Sequence, residues 1–482
     1  MCKLLLFVPI VFLCSIAANC QDATFEYLLS TPMNEVVYDV FESESGDIIF
    51  CGFVSKPNEF MGKTEGLIVK IDNKGNFKDS IILISPNRRN VINRLLSDSN
   101  NSIVTSGYTS DTTREFIGYK NSIIEIKKIS SQLDILDRNS FSLPTNYEYW
   151  FSITERGANN NLLVGGTIKT LNFQIFFYVL SNNFDSIQAR YYSDEGRVCG
   201  AIKQLSDTTY WMADEIMSDY YSINEHFDLI VHENARPNNI NSPYGIKWDT
   251  DTSFYLTGEW NGGSDHDIGL YKQKHPIDST NSLFKSWGTS CLDIPASGAL
   301  DFNHKDSIFI GGTKCYGIFF GTWPSWYYVL QTDSNLNIRW ERFYGGDAYY
   351  KMQKIIAAKD GGCIIAGTRY DYQNVTEEEL DIHVLKLNSE GLLVSTPEEP
   401  AIEMREALVF PNPGTNHLKV RIAAHYKKSN FELYDISGKI VLSEQIIGKW
   451  GEVNTVAFKS GTYVYRIYNE EGLFESGKWL KR

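Results

Sequence analysis

Gly361-Gly-Cys-Ile-Ile-Ala-Gly367 is a short apolar run that opens on a Gly pair and closes on a single Gly, and its shape returns along the chain. Gly46-Asp-Ile-Ile-Phe-Cys-Gly52, Asn101-Ser-Ile-Val-Thr-Ser-Gly107, Asn161-Leu-Leu-Val-Gly-Gly166, Thr252-Ser-Phe-Tyr-Leu-Thr-Gly258 and Asp306-Ser-Ile-Phe-Ile-Gly-Gly312 share it. Thr208-Thr-Tyr-Trp-Met-Ala213 is the weakest copy, with Ala for Gly. The closing residues stand at 52, 107, 166, 213, 258, 312 and 367, so the steps run from 45 to 59 residues, the period of a four-stranded unit.

After each closing residue comes a loop and then an alternating strand, as in Gly66-Leu-Ile-Val-Lys-Ile-Asp72, Phe176-Phe-Tyr-Val-Leu180 or Ile382-His-Val-Leu-Lys-Leu387. These end in turn-formers: Asp72-Asn-Lys-Gly-Asn76, Ser181-Asn-Asn183, Asp333-Ser-Asn-Leu-Asn337 and Asn388-Ser-Glu-Gly391. Asn and Gly accept the left-handed backbone that tight hairpins need. The closing Gly is expected where neighbouring sheets crowd at the centre of a ring, because a residue without Cβ permits close approach. A lone four-stranded sheet of this kind leaves two apolar faces bare, and a radial arrangement covers them. The reading is all-β: a propeller of about seven blades over residues 22–396, followed by a small β-sandwich. Thr24-Phe-Glu-Tyr-Leu28 aligns with Arg339-Trp-Glu-Arg-Phe343, the last strand of a blade, so the N-terminal strand is expected to complete the last blade. Gly391 to Thr396 is the other candidate for that place. The repeats resemble the delta-60 and related propeller-type repeats of secreted bacterial proteins, best at Gly361 to Thr368 and Gly66 to Gly75, which implies architecture and little else.

At 482 residues, more than one folded unit is expected. Aromatics at 13 % suit pleated sheets. A net charge of −14, with no basic stripe to offset it, argues against a nucleic-acid partner. Lys3, the apolar run Leu4 to Ile16 and Ala18-Asn19-Cys20 read as a signal peptide over residues 1–20, cleaved to leave Gln21. Lipid attachment at Cys20 competes, but Asn19 is a poor residue before a lipidated Cys. No other stretch reaches the length of a membrane span. Five Cys remain beyond the signal, with Cys291 and Cys315 the first pair to test for a disulfide and buried free thiols the alternative.

Pro397 to Glu406 reads as an extended, charged linker. A different unit follows over residues 407–482: "FPNPGTNHLKV", "FELYDISGKIV", "SGTYVYRIYNEEG" and the basic ending "GKWLKR". It resembles the type A C-terminal sorting domain of type IX secretion substrates, on Pro411, Asn412, Pro413, Gly438, Gly461, Tyr463, Lys478 and Lys481. Asn416 stands where many members have Asp. The resemblance implies passage through the periplasm, recognition by the type IX machinery, and release or attachment at the outer-membrane surface.

No motif for nucleotides, zinc peptidases or serine hydrolases occurs, and no cofactor, metal or catalytic residue is assigned. Asp333-Ser-Asn-Leu-Asn337 lacks the Gly and Glu of a calcium loop and reads as a turn. Asp265-His266-Asp267 reads as a solvated loop. The loops after the closing residues, including Lys56 to Glu65, Glu259 to Asp267 and Arg369 to Asp381, are expected on one face of the ring. Eight of the ten Trp lie between Trp150 and Trp340. Among them Trp248, Trp260, Trp323 and Trp326 are candidate ligand-binding aromatics, weighed against Trp as filler between blades. The expectation is a secreted or surface-displayed module that binds glycan or protein, with a propeller-based polysaccharide hydrolase or lyase as the alternative. A binder is expected to show an aromatic shelf, an enzyme two converging carboxylates.

Overall fold

The computed structural model describes residues 24–482 apart from 58, 60–61, 99–101, 114–118, 143–147, 158–159, 170–172, 193–198, 215–218, 235–239, 251, 262–265, 277–281, 318–319, 376–378, 395–406, 411, 413, 423–427, 449 and 470–471. The expected signal peptide and the linker lie outside the described residues. Among those described there is no α-helix, and so no helix that crosses a membrane.

Among the described residues from Phe25 to Leu387 the strands form seven units of four, antiparallel within each unit, and the inner strands of units 6 and 7 are joined by one parallel pairing of Gly298 with Lys354. Blade 1 is Asn34–Glu42, Ile48–Ser55, Glu65–Ile71 and Phe77–Leu83. The first strands of blades 2 to 6 are Arg89–Ser97, Glu148–Arg156, Cys199–Ser206, Ile240–Trp248 and Ile294–Asp301. Blade 7 takes Tyr349–Ala357, Cys363–Tyr370 and Leu380–Leu387 from one end of the ring sequence and Phe25–Leu29 from the other. The N-terminal strand runs antiparallel to Leu380–Leu387, with Tyr27 opposite Val384 and Leu28 opposite His383. Gly391 to Val394 is not a strand. The first strand of blade 1 packs against blades 2 and 7, which closes the circle.

Each first strand is innermost, and its register shifts beside the closing residue of its own blade, by a β-bulge in blades 1, 2 and 7 and by the longer stretch Ala296 to Ala299 in blade 6. Gly52 pairs with Val37 beside an extra Tyr38, Gly107 with Ile92 beside Asn93, and Gly367 with Met352 beside Gln353. The bulge turns a carbonyl of the inner strand toward the closing residue. A Cβ at Gly52 would lie 1.8 Å from the Val36 oxygen, and one at Gly107 would lie 2.0 Å from the Val91 oxygen. At Gly52 and Gly107 the crowding therefore comes from the blade's own inner strand, while at Gly312 and Gly367 the neighbouring blade adds to it, with Ile268 and the Tyr327 hydroxyl 2.6 and 2.5 Å from where a Cβ would lie, so the expected crowding between sheets holds at only some of the positions.

The hairpin turns correct a second expectation. Asp72 Oδ1 accepts from the Lys74 and Asn76 amides, and Asp333 Oδ1 from those of Asn335 and Asn337, at 2.8–2.9 Å. Asp333 thus serves a turn. The fourth position has φ between 62° and 86° in both Gly and non-Gly versions: Gly75, Leu133, Phe184, Phe227 and Leu336. Leu and Phe tolerate this backbone because their side chains are buried between blades at 4 % exposure or less. Burial of a large apolar group, about 1.5–3 kcal/mol, offsets a left-handed residue's cost of about 1–3 kcal/mol.

Polar links recur beside the apolar seams. Lys70 meets Asp47 at 3.0 Å, Lys128 meets Asp98 at 2.5 Å and Lys386 meets Asp360 at 2.5 Å, each joining a third strand to the turn after the first. Thr167 and Thr313, which follow closing glycines, accept the amides of Cys199 and Met352 in the next blade at 2.9 Å. Cys291 and Cys315 are disulfide-bonded, while Cys51, Cys199 and Cys363 are buried free thiols.

The C-terminal unit is a sandwich. One sheet is Ala407–Phe410, His417–Ile422 and Trp450–Asn454; the other is Ile440–Ile447, Lys428–Tyr434, Gly461–Asn469 and Gly472–Lys481. Leu418, Val420, Ile422, Phe431, Leu433, Ile467 and Trp479 fill the space between them at 0 % exposure.

Candidate functional site

Because each inner strand starts on one side of the ring, loops after second strands and connections between blades share that side, called here the loop face. The short turns after first and third strands occupy the opposite, turn face.

Trp260 ends the second strand of blade 5, while Trp323 precedes and Trp326 opens the third strand of blade 6, so all three belong to the loop face. Trp248 ends an inner strand on the turn face, where it packs against Trp211 at 5.1 Å and Phe254 at 4.8 Å beneath the Lys203 ammonium. The fold thus separates Trp248 from the other three and places it between blades 4 and 5. Trp260 is half-buried against Phe284, and Trp326 lies under Lys314 at 5.2 Å.

Trp323 is 44 % exposed. Its Nε1 donates to the carbonyl of Cys315 at 3.0 Å, beside the disulfide, and Tyr349 meets it edge-on at 5.8 Å. Tyr349 is itself fixed, accepting from the Gly317 amide at 2.8 Å, and burial pushes its phenol up to about 12. Phe320 contacts Tyr349 at 6.0 Å and Tyr370 at 6.5 Å, and Lys351 covers Phe320 and Tyr316. Phe320 and Tyr370 pack on a cluster with Val36, Phe53, Val91 and Leu380, which ties blades 1, 2, 6 and 7 together on the loop face. Sequence reasoning missed Tyr349, Phe320 and Tyr370, since nothing in their spacing marks residues from different blades as neighbours.

Carboxylates on this face converge on a guanidinium. Arg369 Nη2 reaches Asp347 at 3.0 Å and Asp371 at 3.3 Å, and Nη1 reaches Asp381 at 4.0 Å. Tyr350 accepts from Arg369 Nε at 3.1 Å and donates to Asp347 at 2.8 Å. Burial raises Asp381 to about 7, against the Ser30 hydroxyl bond and Arg369. The loop Lys56 to Glu65 borders an open groove of about 430 Å³ lined, among the described residues, by Lys56, Glu59, Lys63, Asn87 and Thr112. His266 pairs with Glu259, Asp265 lies outside the described residues, and no group of three or more metal-ligating side chains occurs among the described residues.

In the sandwich, Asn412 clamps the last strand: its Nδ2 donates to the Lys478 carbonyl at 2.8 Å and its Oδ1 accepts the Leu480 amide at 2.9 Å. Pro411 and Pro413 lie outside the described residues. Gly438 (φ 82°) and Gly461 (φ 154°) occupy backbone that a side chain would strain. Tyr463 is buried, stacks on Phe458 and donates to the Lys459 carbonyl at 2.8 Å. The two lysines differ, since Lys478 is exposed whereas Lys481 is buried.

Residues 408–481 match the family described as the secretion system C-terminal sorting domain, the mark of a chain that the type IX system exports to the cell surface or the medium. No curated protein matches the chain. Among solved structures it is similar to virginiamycin B lyase from Staphylococcus aureus, at 14 % identity and TM-score 0.43 over 76 % of this chain and 99 % of that one. YCF48 from Cyanidioschyzon merolae is similar at 10 % identity and TM-score 0.41, over 76 % and 99 % of the two chains. PorZ, a bacterial surface component of the type IX secretion system of Porphyromonas gingivalis, is similar at 10 % identity and TM-score 0.32, over 92 % and 75 %.

Proposed function

We propose that the exported ring is an extracellular binding module whose ligand surface is the aromatic stretch over blades 6 and 7, and that its ligand is a glycan. The observation that carries this reading is Trp323: a large indole left open to solvent, its N–H already engaged and its edge held by Tyr349. A ring fixed in this way offers a flat apolar face at little entropic cost, the property that stacking on sugar rings requires. The hydrolase or lyase reading has less support, because Asp347, Asp371 and Asp381 converge on the Arg369 guanidinium.

The test is a glycan array probed with the exported protein, scoring binding and release of reducing ends together. Binding without release is expected, and Trp323→Ala should abolish it while the variant keeps the native circular dichroism spectrum. Release of reducing ends, or unaltered binding by Trp323→Ala, would overturn the reading.

A further inference from the structure

Strand alternation puts Leu418, Val420 and Ile422 inside the sandwich, so Lys419 and Arg421 point outward from the three-stranded sheet. Lys419 is partly exposed as expected, yet Arg421 is only 1 % exposed. Its cross-strand neighbour Trp450, 5.5 Å from the guanidinium, remains 41 % exposed, so Trp450 does not account for the burial of Arg421. The groups within electrostatic reach of Arg421 belong to the ring: Glu35 opens the inner strand of blade 1, while Glu379 and Asp381 flank the start of the third strand of blade 7. Glu35 is 2 % exposed and Asp381 is 5 % exposed. Glu35 Oε2, Asp381 Oδ1 and all three guanidinium nitrogens have no hydrogen-bond partner among the described residues.

We propose that the seam between blades 1 and 7 is a guanidinium acceptor on the loop face, occupied by Arg421, and that this one side chain latches the sorting domain onto the ring. Isolated buried charges are costly, so carboxylates kept out of water on one unit and a guanidinium kept out of water on the other require each other. Arg suits the role because its delocalised charge is weakly hydrated and its planar fork matches carboxylates. Trp450 and Glu452 on the same sheet stay exposed, so Arg421 stands out among its described neighbours as the buried charge, which makes it the anchor. The outer face of the four-stranded sheet, with Val464, Lys478 and Leu480, is left open. The acceptor is separate from Trp323 and stands whether or not the ring binds a glycan.

Small-angle X-ray scattering of the intact mature chain tests this. A latched sorting domain gives a compact particle. A free one swings on the ten residues between Pro397 and Glu406, which span at most about 35 Å. Arg421→Gln and Glu35→Gln are each expected to raise the maximum dimension by on the order of 20 Å. The two changes lie in different domains, so misfolding of one domain cannot explain both; near-UV circular dichroism checks each. An extended wild-type particle, or two variants as compact as the wild type, would overturn the latch.

Discussion

The ammonium of Lys354, on the inner strand of blade 7, lies 3.3 Å from the carboxylate of Asp39 on the inner strand of blade 1. The same carboxylate accepts the Leu95 amide of blade 2 at 2.8 Å and faces Arg94 at 3.7 Å, so one buried side chain joins three blades where the ring closes. Asp39 is the residue that the bulge at Tyr38 turns inward, which links the closing-Gly pattern to the electrostatics of the centre.

Replacing Asp39 by Ala leaves Lys354 and the Leu95 amide without this acceptor, while Arg94 keeps Glu155 and the Thr154 carbonyl. A loss of about 3–5 kcal/mol is expected, as for other buried pairs broken from one side. Urea unfolding checks it, and a loss under about 1 kcal/mol would show that water replaces the carboxylate.

Gly52→Ala sets a methyl group 1.8 Å from the Val36 oxygen and must displace the bulge. It is expected to cost more than about 3 kcal/mol, at the upper end for single substitutions. Ala213, at the matching position of blade 4, already carries a Cβ in a strand, so Ala213→Gly should cost only about 1 kcal/mol. Thermal unfolding of the pair tests whether the bulge sets the residue.

Leu336 has φ 62° and 0 % exposure. Leu336→Gly relieves the backbone by about 1 kcal/mol but empties an interface between blades at about 3–5 kcal/mol. Net destabilisation of about 2–4 kcal/mol is expected by urea titration. A stabilised variant would show that burial does not hold this turn.

Asp381 carries a raised carboxyl, about 7 against an ordinary 3.8, with burial as the main cause. A raised acid favours the folded state below its unfolded pKa, and that contribution is lost as pH rises through the folded value. The loss therefore runs between about pH 4 and pH 7 and amounts to as much as about 4 kcal/mol. Asp381→Asn, which cannot ionise, should be the more stable protein at pH 8 and match the wild type near pH 4. Thermal unfolding at both pH values decides it, and no difference at pH 8 would contradict the burial argument.

Much of this architecture could be read from the chain because it is repeated. Seven copies of one apolar run gave the blade count, and the match of Thr24 to Leu28 with Arg339 to Phe343 placed the closing strand. Physical reasons within each blade were less legible. A bulge leaves no composition signal, so the closing Gly was assigned to crowding between sheets alone, which acts at Gly312 and Gly367 but is not what crowds Gly52 and Gly107. Leu133, Phe184, Phe227 and Leu336 look like strand residues until their backbone angles are known. For the ligand surface, an isolated Trp does not reveal which end of its strand it occupies; register put Trp248 on one face and Trp323 on the other. Arg421 looked like a polar residue on an amphipathic strand, and its burial depends on a domain far away in sequence.

The circular arrangement depends on Phe25–Leu29 lying beside Leu380–Leu387, where Tyr27 and Val384 are directly paired. Opposed residues in antiparallel strands have Cα atoms about 4.5–5.5 Å apart, within disulfide range. Tyr27→Cys combined with Val384→Cys should form a cross-link in the oxidised, folded protein, seen as faster migration on a non-reducing gel and confirmed by peptide mass. If both new thiols stay free and reactive while the protein keeps its native circular dichroism, the N-terminal strand does not close the ring.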